Sequence, residues 1–261
     1  METATPPSLA DADETPSLPR LGGMARPNGV VIVSVRYWAF ARCDGTLSEG
    51  RMPSSDTPLR RIPLVRGLAR LSASLSPLFR KTGVARDRDR AILGGALVVP
   101  FGFVFLPESV GLTVGLVLTA SLLVWLFRGR TLALHGAEHR AIGAAEERRL
   151  LAAWTGEAKP SRFSTRCGTN FAALVLPVSF VAERLWPLTA AVYTPVVVTL
   201  LSLAFSMELW LVLQALPRRL ACLFLLPGLC LQRLTTREPT LAETRVALRA
   251  VDAVLRRELA S

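Results

Sequence analysis

AILGGALVVPFGFVFLPESVGLTVGLVLTASLLVWLF, residues 91–127, carries a single charge, Glu108. A bilayer core about 30 Å thick is crossed by roughly 20 apolar residues, or about 17 at the short end. Ala91 to Leu106 is one uncharged run and Val110 to Phe127 a second, with Pro107-Glu108-Ser109 between them. Two spans joined by so short a turn must run antiparallel. The stretch predicts a transmembrane hairpin over 91–127.

Residues 170–216 repeat the arrangement. Asn170 to Ala182 is apolar, Glu183-Arg184 and Pro187 mark a turn, and Leu188 to Met207 is apolar again. Glu208 interrupts before Leu209 to Leu216. The expectation is four spans in two hairpins. The third is short enough to be tilted or half-buried.

The rest of the composition agrees. The chain has 261 residues, 51% of them hydrophobic, yet a net charge of +11. The charge crowds into 58–90, 128–166 and 217–258, the block pattern of apolar spans between basic loops. A strongly basic chain also raises nucleic acid as a partner. Here the arginines flank apolar runs, and there is no recognition-helix pattern or aromatic stacking platform. The partner expected is a lipid bilayer and not nucleic acid.

Orientation follows from where the basic residues stand. Arg80, Lys81, Arg86, Arg88 and Arg90 precede the first span. Arg128 and Arg130 follow the second, Arg218 and Arg219 follow the fourth, and the intervening turns hold only Arg184. This predicts a multi-pass protein of the cytoplasmic membrane with both termini and the 128–169 loop in the cytoplasm.

Outside the spans, residues 1–21 are Pro/Ser/Thr/Ala-rich, lack the apolar core of a secretory signal and read as a disordered tail. Over 22–57, Val30 to Val33 and Val35 to Ala39 are β-rich, and Asp44-Gly45 is a strong hairpin turn, so a β-hairpin is expected. Gly22-Gly23 ahead of it suggests a tight turn or a close backbone approach. Within 58–90, Ile62, Leu64, Leu68, Leu71, Leu75 and Leu78 recur at helical spacing among arginines, as in an interfacial helix. In 217–261, residues 221–231 are too short to span, and Thr240-Leu-Ala-Glu243 is a capping box that opens an amphipathic helix. The fold class predicted is mainly α: a polytopic helical membrane protein with a small N-terminal β-hairpin and cytosolic amphipathic helices. The four cysteines, Cys43, Cys167, Cys222 and Cys230, form no CxxC pair and no disulfide framework.

The two histidines of the chain stand four apart, in His135-Gly-Ala-Glu138-His139. On a helix these positions share a face, so both imidazoles could bind one metal ion. Glu138 lies about 100° around the helix from His139 and about 60° from His135, where it could orient a water as general base. This is the H-x-x-E-H order of inverted zinc peptidases. The blander reading is a polar helix whose histidines make ordinary hydrogen bonds, and Gly136 inside the motif weakens the helix itself. A catalytic zinc needs a third protein ligand. Cys167, in Arg166-Cys167-Gly168-Thr169-Asn170, is a candidate, or else a small buried residue at a helix start. Glu146 is on the same helical face but about 10 Å along the axis from His139. Glu208, an acid in an apolar run, is expected to face an interior partner, and could meet the His135–His139 helix or Arg166.

These motifs, together with Pro227-Gly-Leu-Cys-Leu-Gln-Arg-Leu-Thr-Thr-Arg-Glu-Pro239, resemble the YqhQ-like bacterial membrane protein family, domain-of-unknown-function family 1385, over about Gly22 to Arg257. The resemblance implies a metal-dependent enzyme with His135, Glu138, His139, Glu146, Arg166, Cys167 and Glu208 at family-typical positions. The chain departs from the family pattern at Ser164-Thr165, where His-Pro is usual, and at Met24 and Asn28, as a divergent member would.

Three functional readings follow. The first is a metal-dependent membrane hydrolase at the cytoplasmic face. Its zinc would be held by His135, His139, Cys167 and Glu208, with Glu138 catalytic and Arg166, Glu146, Thr169 and Asn170 supporting. Its substrate would be lipid-linked or membrane-embedded, or a peptide. The second is a non-catalytic scaffold or assembly factor whose His/Arg/carboxylate cluster is structural. The third is a transporter, suggested by the paired hairpins.

Overall fold

Asp44-Gly45 makes the turn its residue types require. Gly45 takes φ +92°, its N–H donates to the Arg42 carbonyl at 3.0 Å, and the Asp44 carboxylate accepts from the Thr46 N–H and hydroxyl. The hairpin so formed belongs to a larger sheet. In the computed structural model, which describes residues 7–53, 62–79, 84–187, 191 and 193–260, four antiparallel strands run in the order β1 (Gly22–Arg26), β2 (Gly29–Val33), β3 (Tyr37–Arg42) and β4 (Leu47–Arg51). The expected hairpin is thus half of a meander. The added edge strand is β1, whose Gly22-Gly23 pairs with Val33 and Ile32.

The chain divides into two compact units. The first comprises 1–54, 127–167 and 229–261. Helix α1 (Pro7–Glu14) lies where a disordered tail was expected. Leu9 and Ala12 are buried, and the Asp13 carboxylate accepts from the Leu150 and Leu151 N–H groups at the start of α6 (Leu150–Thr155). Residues 1–6 of that tail are outside the described residues. Helix α5 (Thr131–Glu146) packs on β1 and β2, and α11 (Leu241–Leu259) packs on α5, β2 and β3. Val30, Ile32, Leu134, Ala141, Leu248, Val251 and Leu255 meet in one continuous core. The capping box is present as predicted: the Thr240 hydroxyl accepts from the Glu243 N–H, and Glu243 accepts from the Thr240 N–H.

The second unit comprises 55–126 and 168–228. Its elements are α2 (Val65–Phe79), α3 (Asp87–Val98), a 3-10 segment (Val99–Phe105), α4 (Glu108–Leu126), α7 (Gly168–Arg184), α8 (Thr194–Ala215), α9 (Arg218–Phe224) and the start of α10 (Leu226–Thr235). Helices α7 and α8 pair as the predicted second hairpin, and α2 lies along α8, with Gly67 against Met207 and the Ala204 carbonyl. Phe171 meets Trp210 edge to face at 6.2 Å.

Among the described residues, two helices are long and apolar enough to cross a membrane: α4, over Ser109–Leu126, and α8, over Thr194–Ala215. The other two expected spans form shorter helices. The 91–106 run changes from α to 3-10 at Val99, just before Pro100, and α7 has 17 residues with Pro177 inside. Proline lacks an N–H and clashes with the preceding turn, which explains the break. Of the basic flanks read from the sequence, Arg60, Arg61, Arg80 and Lys81 lie outside the described residues, as do 188–190 and 192 of the fourth run.

Candidate metal centre

Helix α5 presents the H-x-x-E-H motif from inside the first unit: His139 and Glu138 are buried and His135 is half-buried. The two imidazoles lie on one face, ring centres 4.5 Å apart. Gly136 has a structural reason to interrupt the helix propensity. A Cβ there would stand 2.2 Å from the Arg237 carbonyl oxygen, so glycine lets the α10–α11 connection cross α5 in contact. The Arg237 N–H donates to Leu132 O at that crossing.

The third member arrives on the segment after α6. Arg140 donates to Pro160 O and Pro239 O and pairs with Glu238. Arg162 Nη1 donates to Thr236 O at 3.2 Å. The Gln232 amide, fully buried, accepts from the Ser164 N–H at 2.9 Å and donates to its carbonyl at 2.7 Å, as a neighbouring strand would. Arg166 pairs with Glu146 at 2.5 Å. These clamps deliver Cys167 to the histidines, with Sγ 3.2 Å from His135 Nε2.

One ligand atom from each of His135, His139 and Cys167 lies within 4.8 Å of the others. The hydrogen bonds set which atoms these are. His135 Nδ1 is 2.8 Å from Thr235 O and His139 Nδ1 is 2.6 Å from Arg162 O. A carbonyl can only accept, so each Nδ1 carries a proton, and in the neutral form of each ring Nε2 is the lone pair that can ligate. His139 Nε2 is buried with no hydrogen-bond partner among the described residues. An orphaned buried acceptor costs about 1–3 kcal/mol, and a cation would relieve it. Tetrahedral zinc with bonds of about 2.0–2.3 Å would put its ligand atoms about 3.3–3.6 Å apart. The His135–Cys167 separation of 3.2 Å is near this, and all three atoms lie within 4.8 Å. The donor set fits a metal ion.

Glu138 is a neighbour and not a fourth ligand. Burial pushes its carboxyl up to about 7, against a smaller opposing effect of His135, and it makes no hydrogen bond among the described residues. Its carboxyl packs on the backbone of β1. A Cβ at Gly23 would lie 2.8 Å from Glu138 Cγ, which fulfils the close approach expected of Gly22-Gly23.

The remaining predicted site residues divide. Glu146 and Arg166 brace the segment beside Cys167 through their ion pair. Glu208, predicted as a ligand, belongs to the second unit, where Arg66 and the Leu64 N–H take its carboxylate. Asn170 is buried in that unit against Gly228, and Thr169 is half-buried at the start of α7. Gln232, Arg140 and Arg162 were not foreseen as positioning groups. Most of their partners are backbone carbonyls and amides, which leave no trace in residue type, and Glu238, which pairs with both arginines, is far from them in the sequence.

Fold and cluster together define a mainly helical protein with a small antiparallel sheet and a His/His/Cys site that could hold a metal ion. A family model described as "Protein of unknown function (DUF1385)" matches residues 110–257, more than half of the chain, and the chain belongs to that family. No curated protein and no solved structure matches it.

Proposed function

We propose that this chain is a metal-dependent hydrolase in which His135, His139 and Cys167 hold one zinc ion and Glu138 moves the proton. The observation that carries the reading is His139 Nε2, buried and unpartnered among the described residues beside the donor atoms of His135 and Cys167. Three protein ligands with a fourth position open is the arrangement of catalytic rather than structural zinc. Bound there, the metal would supply Lewis acidity and lower the pKa of a coordinated water. Glu138, with a carboxyl near neutrality in a water-poor setting, can take a proton and return it to a leaving group. The Thr235 and Arg162 carbonyls hold the two rings in the ligating tautomer.

In this reading the 91–106 run with α4, and α7 with α8, form the two hairpins of the cytoplasmic membrane, an even number of crossings on each side of the site, with both termini and the site on the cytoplasmic side. The Arg-rich flanks support that orientation. The substrate is then lipid-linked or membrane-embedded. The test is the metal content of the detergent-purified full chain. About one zinc per chain is expected in the wild type, and loss of it in His139→Ala and in Cys167→Ser. A wild type without metal, even after incubation with zinc, would end the enzyme reading. The same groups would then serve a scaffold, with the ion pairs of Arg140 and Arg166 bracing the segment.

A further inference from the structure

The first unit holds a depression of about 330 Å³ along α5. Its lining includes Leu18 and Arg20 from the segment after α1, Ile142 and Glu146 from α5, and Arg148 and Arg166. Ile142 stands three residues beyond His139, about 4.5 Å of helix rise, and Arg166 directly precedes Cys167. The pocket flanks the metal cluster and shares none of its ligands.

Its charge is unbalanced. Three guanidinium groups face one carboxylate, and Glu146 is committed to Arg166. Arg148, at a left-handed φ of +56°, is held among the described residues by neutral acceptors, donating to Ala12 O and Pro16 O at 3.1 Å each. Arg20 is exposed, with no acidic partner among the described residues. The carbonyl end of α5 contributes about half a negative charge, which leaves the pocket positive. Guanidinium forks match phosphate oxygens bidentately. A volume at the lower end of the roughly 300–1,000 Å³ range of ligand pockets admits a phosphoryl head but not an acyl chain.

We propose that this pocket is an anion site for the phosphoryl group of a phospholipid headgroup or a free phosphate ester. Together with the metal-centre reading, on which this step rests, it makes the substrate of the cluster a phosphorylated one. Anion binding itself does not depend on the metal.

The test uses full-length protein in non-ionic detergent, titrated with inorganic pyrophosphate by calorimetry. It is done on His139→Ala and on wild type in EDTA, so that metal-bound phosphate is not what is measured and a folding failure of the variant is not decisive. Binding is expected in both. Arg20→Glu should weaken it about tenfold or more, while Arg149→Glu, the same change in charge outside the pocket lining, should leave it within about twofold. Absence of binding, or equal loss in both charge reversals, overturns the proposal whatever the zinc content. Displacement by short-chain phosphatidylglycerol but not phosphatidylcholine assigns the site to a lipid headgroup. Pyrophosphate binding without such displacement assigns it to a soluble ester.

Discussion

Glu138 in the first unit and Glu208 in the second are both acids carried on helices, and the protein treats them in opposite ways. Glu208 receives Arg66 Nε at 2.9 Å on each oxygen, Arg66 Nη2 at 2.5 Å and the Leu64 N–H at 3.1 Å. Glu138 receives no hydrogen bond among the described residues, and burial alone raises it to near neutrality. An ionised carboxylate in apolar surroundings is costly until it is paired. The paired acid is a brace between α2 and α8. The unpaired one stands on the helix whose histidines, with Cys167, could hold a metal ion. The surfaces of the two units differ in the same sense. Leu134 and Val251 are fully buried in the first, whereas Val124 and Leu176 are 75% and 71% exposed in the second. The first unit encloses a continuous core, with Val35 and Leu234 among the apolar side chains left at its surface, and the second leaves many more apolar side chains outward.

The largest expected effect separates the two units through their glycines. Gly136→Val puts side-chain atoms into the Arg237 carbonyl and should cost about 3 kcal/mol or more, read as a drop in thermal unfolding temperature of the full chain. Gly94→Ala in α3 meets nothing within 4 Å and should gain up to about 1 kcal/mol from helix propensity. Equal effects would mean that α5 is not crossed at Gly136. Next in size is Gln232→Leu. It leaves the Ser164 N–H and carbonyl without their partner and loosens the segment that carries Arg162 O and Cys167. Zinc affinity, measured by chelator competition, should fall about 10–100-fold, as for other groups that orient metal ligands. Unchanged affinity would show that the segment is held by something else.

What could be read from the sequence was local. Asp44-Gly45, the Thr240–Glu243 box and the His135–His139 spacing each state their chemistry within a few residues, and each forms as read. Cys167 could be nominated because it is a rare ligand type near a helix start. The rest depended on distant partners. Residues 7–14 look disordered by composition, but Asp13 finds the amides of Leu150 and Leu151. Strand β1, Gly-Gly-Met-Ala-Arg, has no β-branched residue. It forms because it pairs with β2 and because Gly23 admits Glu138. Glu208 called for an interior partner, but the sequence does not mark Arg66, more than a hundred residues away, as that partner.

Glu258 tests the first unit's way with a paired acid. Burial raises its carboxyl, but hydrogen bonds from the Ser34 hydroxyl at 2.6 Å and Arg36 Nε at 2.8 Å, with the Arg36 charge, outweigh this and hold it below its ordinary value of 4.5. A depressed pKa means stability that is present above 4.5 and lost as pH falls through the native value. Glu258→Gln should therefore be less stable by about 1–2 kcal/mol at pH 7 in denaturant unfolding, and the gap should narrow below pH 4.5. A gap independent of pH would mean that shape rather than charge ties α11 to the sheet.

Arg66→Ala is the smallest effect and the one closest to the opening contrast. Among the described residues it leaves Glu208 the Leu64 N–H and the more distant charge of Arg70. Were the pair sealed from solvent, breaking it would cost about 3–5 kcal/mol. The Arg66 side chain is 40% exposed, so water and counterions recover most of that, and a loss of about 1 kcal/mol is expected. Arg66→Lys keeps the charge but not the fork and should fall between the two. A loss of several kcal/mol in Arg66→Ala, measured by unfolding in detergent, would show that apolar surroundings exclude water from Glu208. It would then be as dependent on its partner as Glu138 is free of one.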